Sequence, residues 1–333
     1  MLAPVGMSMA VIIAAASIYS FSPRAVPPLE ASRIPVDNMQ LTGIERSSAG
    51  LLVAGELGTI LLSTDNGDNW TQASTSTDRQ ALITHLGFAS NETGLALGHE
   101  GWILRSTDGG KSWEETHFTE QNGEPLMGAH RLPSGDWLVL GSFGQVLRSA
   151  DDGNTWQEDT LPDQGDWHLN DITADASGNN LLVVGEAGTV LRSTDGGENW
   201  ELVEPFYNGS LYGSVNLGGE RWVAYGMRGN VFYSSDNGIS WEASTIPAPI
   251  SIYNHLVQPD GQLLLVGQGG MILTSTDQGH SFKVASREGR SSLTGILAAA
   301  DGSLLLSSDR GLQRRTLGTP PGTPSSTTSG AAQ

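Results

Sequence analysis

One sixteen-residue pattern, G-x-x-G-x-[aliphatic]-x-x-S-x-D-x-G-x-x-[W/F], recurs through the chain and limits its folds more than any other feature. Copies begin at Gly55, Gly98, Gly141, Gly185, Gly226 and Gly267, with steps of 43, 43, 44, 41 and 41 residues. They end on Trp70, Trp113, Trp156, Trp200, Trp241 and Phe282. A seventh, eroded copy, LSSDRGLQRR from Leu306 to Arg315, keeps the strand pattern without the turn glycines or the aspartate motif. Each unit is too short to bury a face alone, so the units must stack on one another. Unit one predicts strand A at Leu41–Arg46, strand B at Leu51–Ala54, strand C at Thr59–Ser63 and strand D from Trp70, separated by Gly, Asn, Asp and Ser clusters. One four-stranded meander in every forty-odd residues is the pattern of a β-propeller. The expected fold is all-β with seven blades, and no stretch after residue 40 shows a sustained helical period.

Unit seven runs out before a fourth strand, while Ala31–Val36 precedes the first strand A, where every other unit has a strand D. The expectation is that this N-terminal strand pairs with the last strand C, Ile34 opposite Leu312 or Arg314, and closes the ring. Closure removes the open edges of a linear array.

The domain plan follows: residues 1–28 as a signal peptide or membrane anchor plus linker, 29–315 as the propeller, and 316–333 as a disordered tail. Leu2 to Ser22 contains no charged side chain and Ala10–Ala16 reads AVIIAAA, which points to export or anchoring, although Pro4, Gly6 and the missing basic flank are atypical. Whether this segment is cleaved stays open. The tail, TLGTPPGTPSSTTSGAAQ, has nothing to bury. Of 333 residues, 36 are acidic and 17 basic, a net charge of −19 that repels phosphate backbones and argues against nucleic acid. No cysteine is present, so disulfides, thiolate metal sites and cysteine nucleophiles are excluded. No cofactor is expected.

The aspartates of the repeat, Asp65, Asp108, Asp151, Asp195, Asp236 and Asp277, belong to the Asp-box motif of sialidases, xyloglucanases and sortilin-like proteins. Their chemistry is local, because a short carboxylate accepts backbone N–H groups of its own turn. Six equivalent acids around a ring cannot serve one active site. The recurrent strand-C arginines, Arg105, Arg148, Arg192 and Arg314, are expected between blades or at the rim.

In a meander, successive turns alternate between faces. The A–B turns and Asp boxes share one face and are stereotyped; the B–C turns and D–A connections share the other and vary. Variable loops on a rigid scaffold are where binding residues concentrate. The candidate partner-binding set on that face is Trp167, His168, Asn170, Glu186, Tyr207, Tyr212, Arg228, Tyr253, Arg287 and Arg290. A separate column near the start of strand A reads Gly43, His85, Ala129, Asp171, Ser214, His255 and Gly295. Its polar members are expected to line the central channel; a metal held by His85, Asp171 and His255 is the less favoured reading, because they come from alternate blades.

At GDWHLNDI (165–172), GEAGTVLRSTDGGENW (185–200), PFYNGSLYG (205–213) and GMRGNVFYSSDNG (226–238), the chain resembles the photosystem II stability/assembly factor family, most closely its members outside photosynthetic organisms. The resemblance covers roughly residues 30–315. It implies an exported, non-enzymatic seven-bladed propeller that supports a membrane protein complex, with an arginine-rich binding patch. Arg228 matches the RG inset of the family, with Arg287 and Arg290 as neighbours, whereas most of this surface is expected to be acidic. Relatives of this kind suggest a transporter of the resistance–nodulation–division type as one partner. The alternative is a sialidase-like glycoside hydrolase, which needs two carboxyls about 5–9 Å apart. Glu56, Glu100 and Glu186 lie on the right face for it but on different blades.

Overall fold

The structure, a computed structural model, describes Met9 and residues 12–17, 35–119 and 123–317. Met9 and residues 12–17 are helical. Among the described residues no helix is long and apolar enough to cross a membrane. Most of the expected leader, and the tail from residue 318, lie outside the described residues.

From residue 35 the chain is a seven-bladed β-propeller. Blade 1 runs Leu41–Arg46, Leu51–Gly55, Ile60–Ser63 and Thr71–Gln72, each strand antiparallel to the last. Blades 3 to 6 repeat this order, and blade 2 gains a fifth strand where Ser74–Thr75 lies parallel to Ser112–His117. Blade 7 has three described strands, Leu293–Ala298, Leu304–Ser308 and Gln313–Arg315. The strand-B runs, such as LLVAG and LLVVG, are buried along their whole length because each sheet is covered on both faces by neighbouring blades.

Successive A strands stand side by side around the axis, with that of blade 7 against that of blade 1. Side chains tie the join. Thr294 Oγ1 donates to Leu41 O at 2.7 Å, and Arg46 Nη2 donates to Ala298 O at 2.9 Å. Beside the outer strand of blade 7, Leu312 N–H donates to Val36 O at 3.0 Å, so the N-terminal segment runs where a fourth strand belongs. Ile34, the expected partner in that pairing, lies outside the described residues.

The Asp boxes form one hairpin six times. In the first, Asp65 Oδ1 accepts Asn69 N–H at 2.8 Å, and Ser63 Oγ accepts Gly67 N–H at 2.8 Å. The remaining five aspartates each accept the N–H four residues on at 2.8–3.0 Å. The backbone N–H and side-chain amide of Asn69 hold Asp65 down to about 2, and Asn199 does the same for Asp195. Strand-C arginines carry the next link, from blade to blade. Arg105 donates to Asp152 O and Oδ2, Arg192 Nε to Asn237 O and Arg314 Nη2 to Asn66 O, each on the following blade's Asp-box turn. Arg148 differs by pairing with Asp159 and Asp136 of its own blade. Arg105→Ala is therefore expected to lower unfolding free energy by about 1–3 kcal/mol, and Arg148→Ala by less, in urea titrations of the two variants.

Candidate functional site: one face and the channel mouth

The B–C connection of each of blades 1 to 6 is a single tight turn: Glu56–Gly58, His99–Gly101, Ser142–Gly144, Glu186–Gly188, Met227–Gly229 and Gln268–Gly270. Its closing glycine lies against the following D–A connection. Gly144 N–H donates to Trp167 O, Gly188 N–H to Gly209 O and Gly270 N–H to Ser291 O, at 2.7–2.8 Å. A Cβ on Gly188 would stand 2.0 Å from Tyr207 O, so no side chain fits there. This packing puts the B–C turns and D–A connections together on one face of the disc.

The middle residue of each turn has positive φ: Leu57 (55°), Glu100 (60°), Phe143 (53°), Ala187 (54°), Arg228 (55°) and Gly269 (72°), and of these Leu57, Glu100, Phe143 and Arg228 are exposed. Non-glycine residues adopt this region at a cost and concentrate at functional positions. Sequence reasoning passed over Leu57, which is 53% exposed. Its place in G-x-x-G, two residues after the first glycine, was the available signal.

Two groups of candidates come together. Between the blade 3 B–C turn and the connection into blade 4, Phe143 (59% exposed) and Trp167 (49%) are both presented to solvent, with the His168 ring edge-on to Phe143 at 4.7 Å and its Nε2 3.9 Å from Glu186 Oε2. On blades 5 and 6, the Tyr212 and Tyr253 rings lie 5.7 Å apart, and Arg228, Glu186 and Tyr207 are close enough to act electrostatically on Tyr212. The Tyr212 hydroxyl is pushed up, first by burial. Arg228, Arg287 and Arg290 are exposed. Arg287 ends the outer strand of blade 6, opposite Met271, and Arg290 follows in the D–A connection; neither belongs to the group around Tyr212.

Two candidates have structural roles. Tyr207 packs its ring 5.2 Å from Phe232 beside a core cluster, so it supports the face from below. Asn170 Nδ2 donates to Leu211 O at 2.7 Å, which latches blade 4 to blade 5 as Thr42 latches blade 1 to Ile83 O.

The register corrects the channel column. Every strand A carries a one-residue irregularity after its first residue, and the equivalent positions are Gly43, His85, Gly128, Asp171, Gly213, Asn254 and Gly295. Ala129, Ser214 and His255 stand one residue further on. His255 still reaches the axial cavity, where its Nδ1 meets Tyr225 OH at 2.8 Å. Burial pushes both His85 and His255 down to about 4. Asp171 accepts Ser214 N–H and Thr173 Oγ1–H, both at 3.1 Å, and burial raises it to about 6. Among the described residues no three His, Asp or Glu side chains converge as metal ligands.

Glu45 lines the same cavity, and burial raises it to about 7, against relief from the Arg46 backbone N–H. A raised folded value means that the folded state loses stability relative to the unfolded chain as pH climbs from 4.5 through about 7. Glu45→Gln removes that loss. Its thermal midpoint is expected to exceed the parent's above pH 7 and to approach it toward pH 4.5, read by calorimetry across this range.

A family model described as Photosynthesis system II assembly factor YCF48 matches residues 30–107 and 129–282. No curated protein matches in sequence. Among solved structures, YCF48 from Cyanidioschyzon merolae is similar over 85% of this chain and 96% of that one, at 15% identity and a TM-score of 0.65. A structure of YCF48 bound to D1 peptide is similar over 89% of this chain and 99% of that one, at 19% identity and a TM-score of 0.66. A streptogramin B lyase is similar over 86% and 96%, at 17% identity and 0.71. At these identities the structural likeness is one of fold.

Proposed function

The chain belongs to the Photosynthesis system II assembly factor YCF48 family, and from that premise we propose that it is a non-enzymatic binding factor that assists assembly of a membrane protein complex outside the cytoplasm. The observation that carries the reading is the B–C/D–A face. It displays Phe143, Trp167 and Arg228 to solvent on turns fixed by the ring. Aromatic and arginine side chains held rigidly are the usual anchors of protein interfaces. The similar structure of YCF48 bound to D1 peptide supports a protein segment as the class of ligand. A transporter of the resistance–nodulation–division type is one candidate partner, and placement in the cell envelope rests on the uncharged N-terminal stretch.

The glycosidase alternative gains little. Glu56 is engaged by Gln40 N–H at 2.9 Å, Glu100 sits on blade 2, and Glu186 stands beside His168. Affinity capture from membranes, after crosslinking, tests the proposal with the tagged wild-type propeller. A membrane protein retained by it and competed away by untagged propeller is the expected result. Hydrolysis of glycans without any such partner would overturn it.

A further inference from the structure

The axial cavity carries chemistry that docking on the face does not use. It encloses about 670 Å³ and is walled by strand A of all seven blades. That volume lies within the range of small-ligand sites, about 300–1,000 Å³. Its lining includes two carboxylates, Glu45 and Asp171, and no lysine or arginine. Its two imidazoles, His85 and His255, are held neutral by burial. Tyr212, Tyr225 and Tyr253 add aromatic surface.

Charges near the acids do not cancel them. Arg46, next to Glu45 in the strand, directs its guanidinium to Ala298 O. At the rim, Arg228 and Glu186 near Tyr212 bring one charge of each sign. Two carboxylates without a cation in a partly dehydrated cavity are costly, and a cation against tyrosine faces relieves that cost.

The geometry points to a binding site on the propeller axis for one organic cation, an alkylammonium or guanidinium group, with Glu45 holding the charge, since Asp171 is already engaged by Ser214 and Thr173, and the tyrosine rings packing its alkyl part. The group comes either from a small molecule or from a basic side chain of a docked protein. The site shares Tyr212 and Tyr253 with the candidate set of the face but uses none of Phe143, Trp167 and Arg228, the anchors proposed for docking.

Calorimetric titration of the full chain with n-butylammonium, and with acetyl-Gly-Lys-Gly-amide, distinguishes the sources. Binding of the free amine assigns a small molecule, and binding of the peptide alone assigns a side chain. The same peptide acetylated on lysine keeps the shape without the charge and is expected not to bind. Because the cation favours the ionised acids, affinity is expected to rise about tenfold or more from pH 5.5 to pH 8. Glu45→Gln, expected to fold at least as well as the parent, should weaken binding about tenfold and flatten that pH dependence. Ile239→Ala, exposed on an Asp-box turn and outside the cavity, should leave both unchanged. Absence of binding by either amine at pH 8, equal binding of the acetylated peptide, or wild-type affinity in Glu45→Gln would each overturn the site. None of these results bears on partner capture by the face.

Discussion

Trp113→Ala is expected to lower the unfolding free energy by about 3–5 kcal/mol, the usual cost of truncating a fully buried tryptophan. Trp113 is 2% exposed, closes its Asp-box hairpin by donating Nε1–H to Gly110 O at 3.0 Å, and meets Phe88 edge-on at 5.9 Å. Removing it opens a cavity between hairpin and sheet and leaves a buried carbonyl without its donor. Trp200 makes the equivalent bond to Gly197 O at 3.1 Å but is only half-buried. Its truncation therefore costs distinctly less, although the repeat gives both residues the same place. Urea unfolding of the two variants measures the difference. Equal losses would mean that the motif, and not the depth of burial, sets the contribution.

The second large effect is on binding. A variant carrying Phe143→Ala, Trp167→Ala and Arg228→Ala is expected to lose the captured membrane partner, with affinity falling about 100-fold or more, since each interface anchor commonly accounts for 2 kcal/mol or more. All three side chains project from the face. Their loss removes no core contact, and the unfolding midpoint should stay close to the parent's. Replacing Phe143 and Arg228 also eases backbone strain little, because alanine meets the same objection to positive φ. Tyr207 is left intact in this variant because of its packing on Phe232. Retention of the partner at unchanged affinity would move the docking site to another surface; early unfolding would show that these loops are structural.

Local rules made the repeat legible. The spacing of glycine, aspartate and tryptophan is dictated by contacts within one hairpin, four residues apart, so the sequence alone determined the strands, the turns, the blade count and the role of Asp65 and its equivalents. The alternation of turns between two faces is likewise a property of any meander, and it placed Trp167, Glu186 and Arg228 on one side of the disc. What depends on neighbouring blades was decided only in three dimensions. Trp113 and Trp200 look alike in sequence and differ in burial because different neighbours cover them. Tyr207 and Asn170 read as surface residues, but one fills space beside Phe232 and the other latches Leu211 of the next blade. Which residue of each strand A is equivalent around the channel was fixed only by strand pairing, which puts Gly128, Gly213 and Asn254, and not Ala129, Ser214 and His255, level with His85 and Asp171. Glu45, an ordinary strand-end acid in the sequence, becomes an axial group because seven strands converge there, and convergence is a property of the closed ring alone.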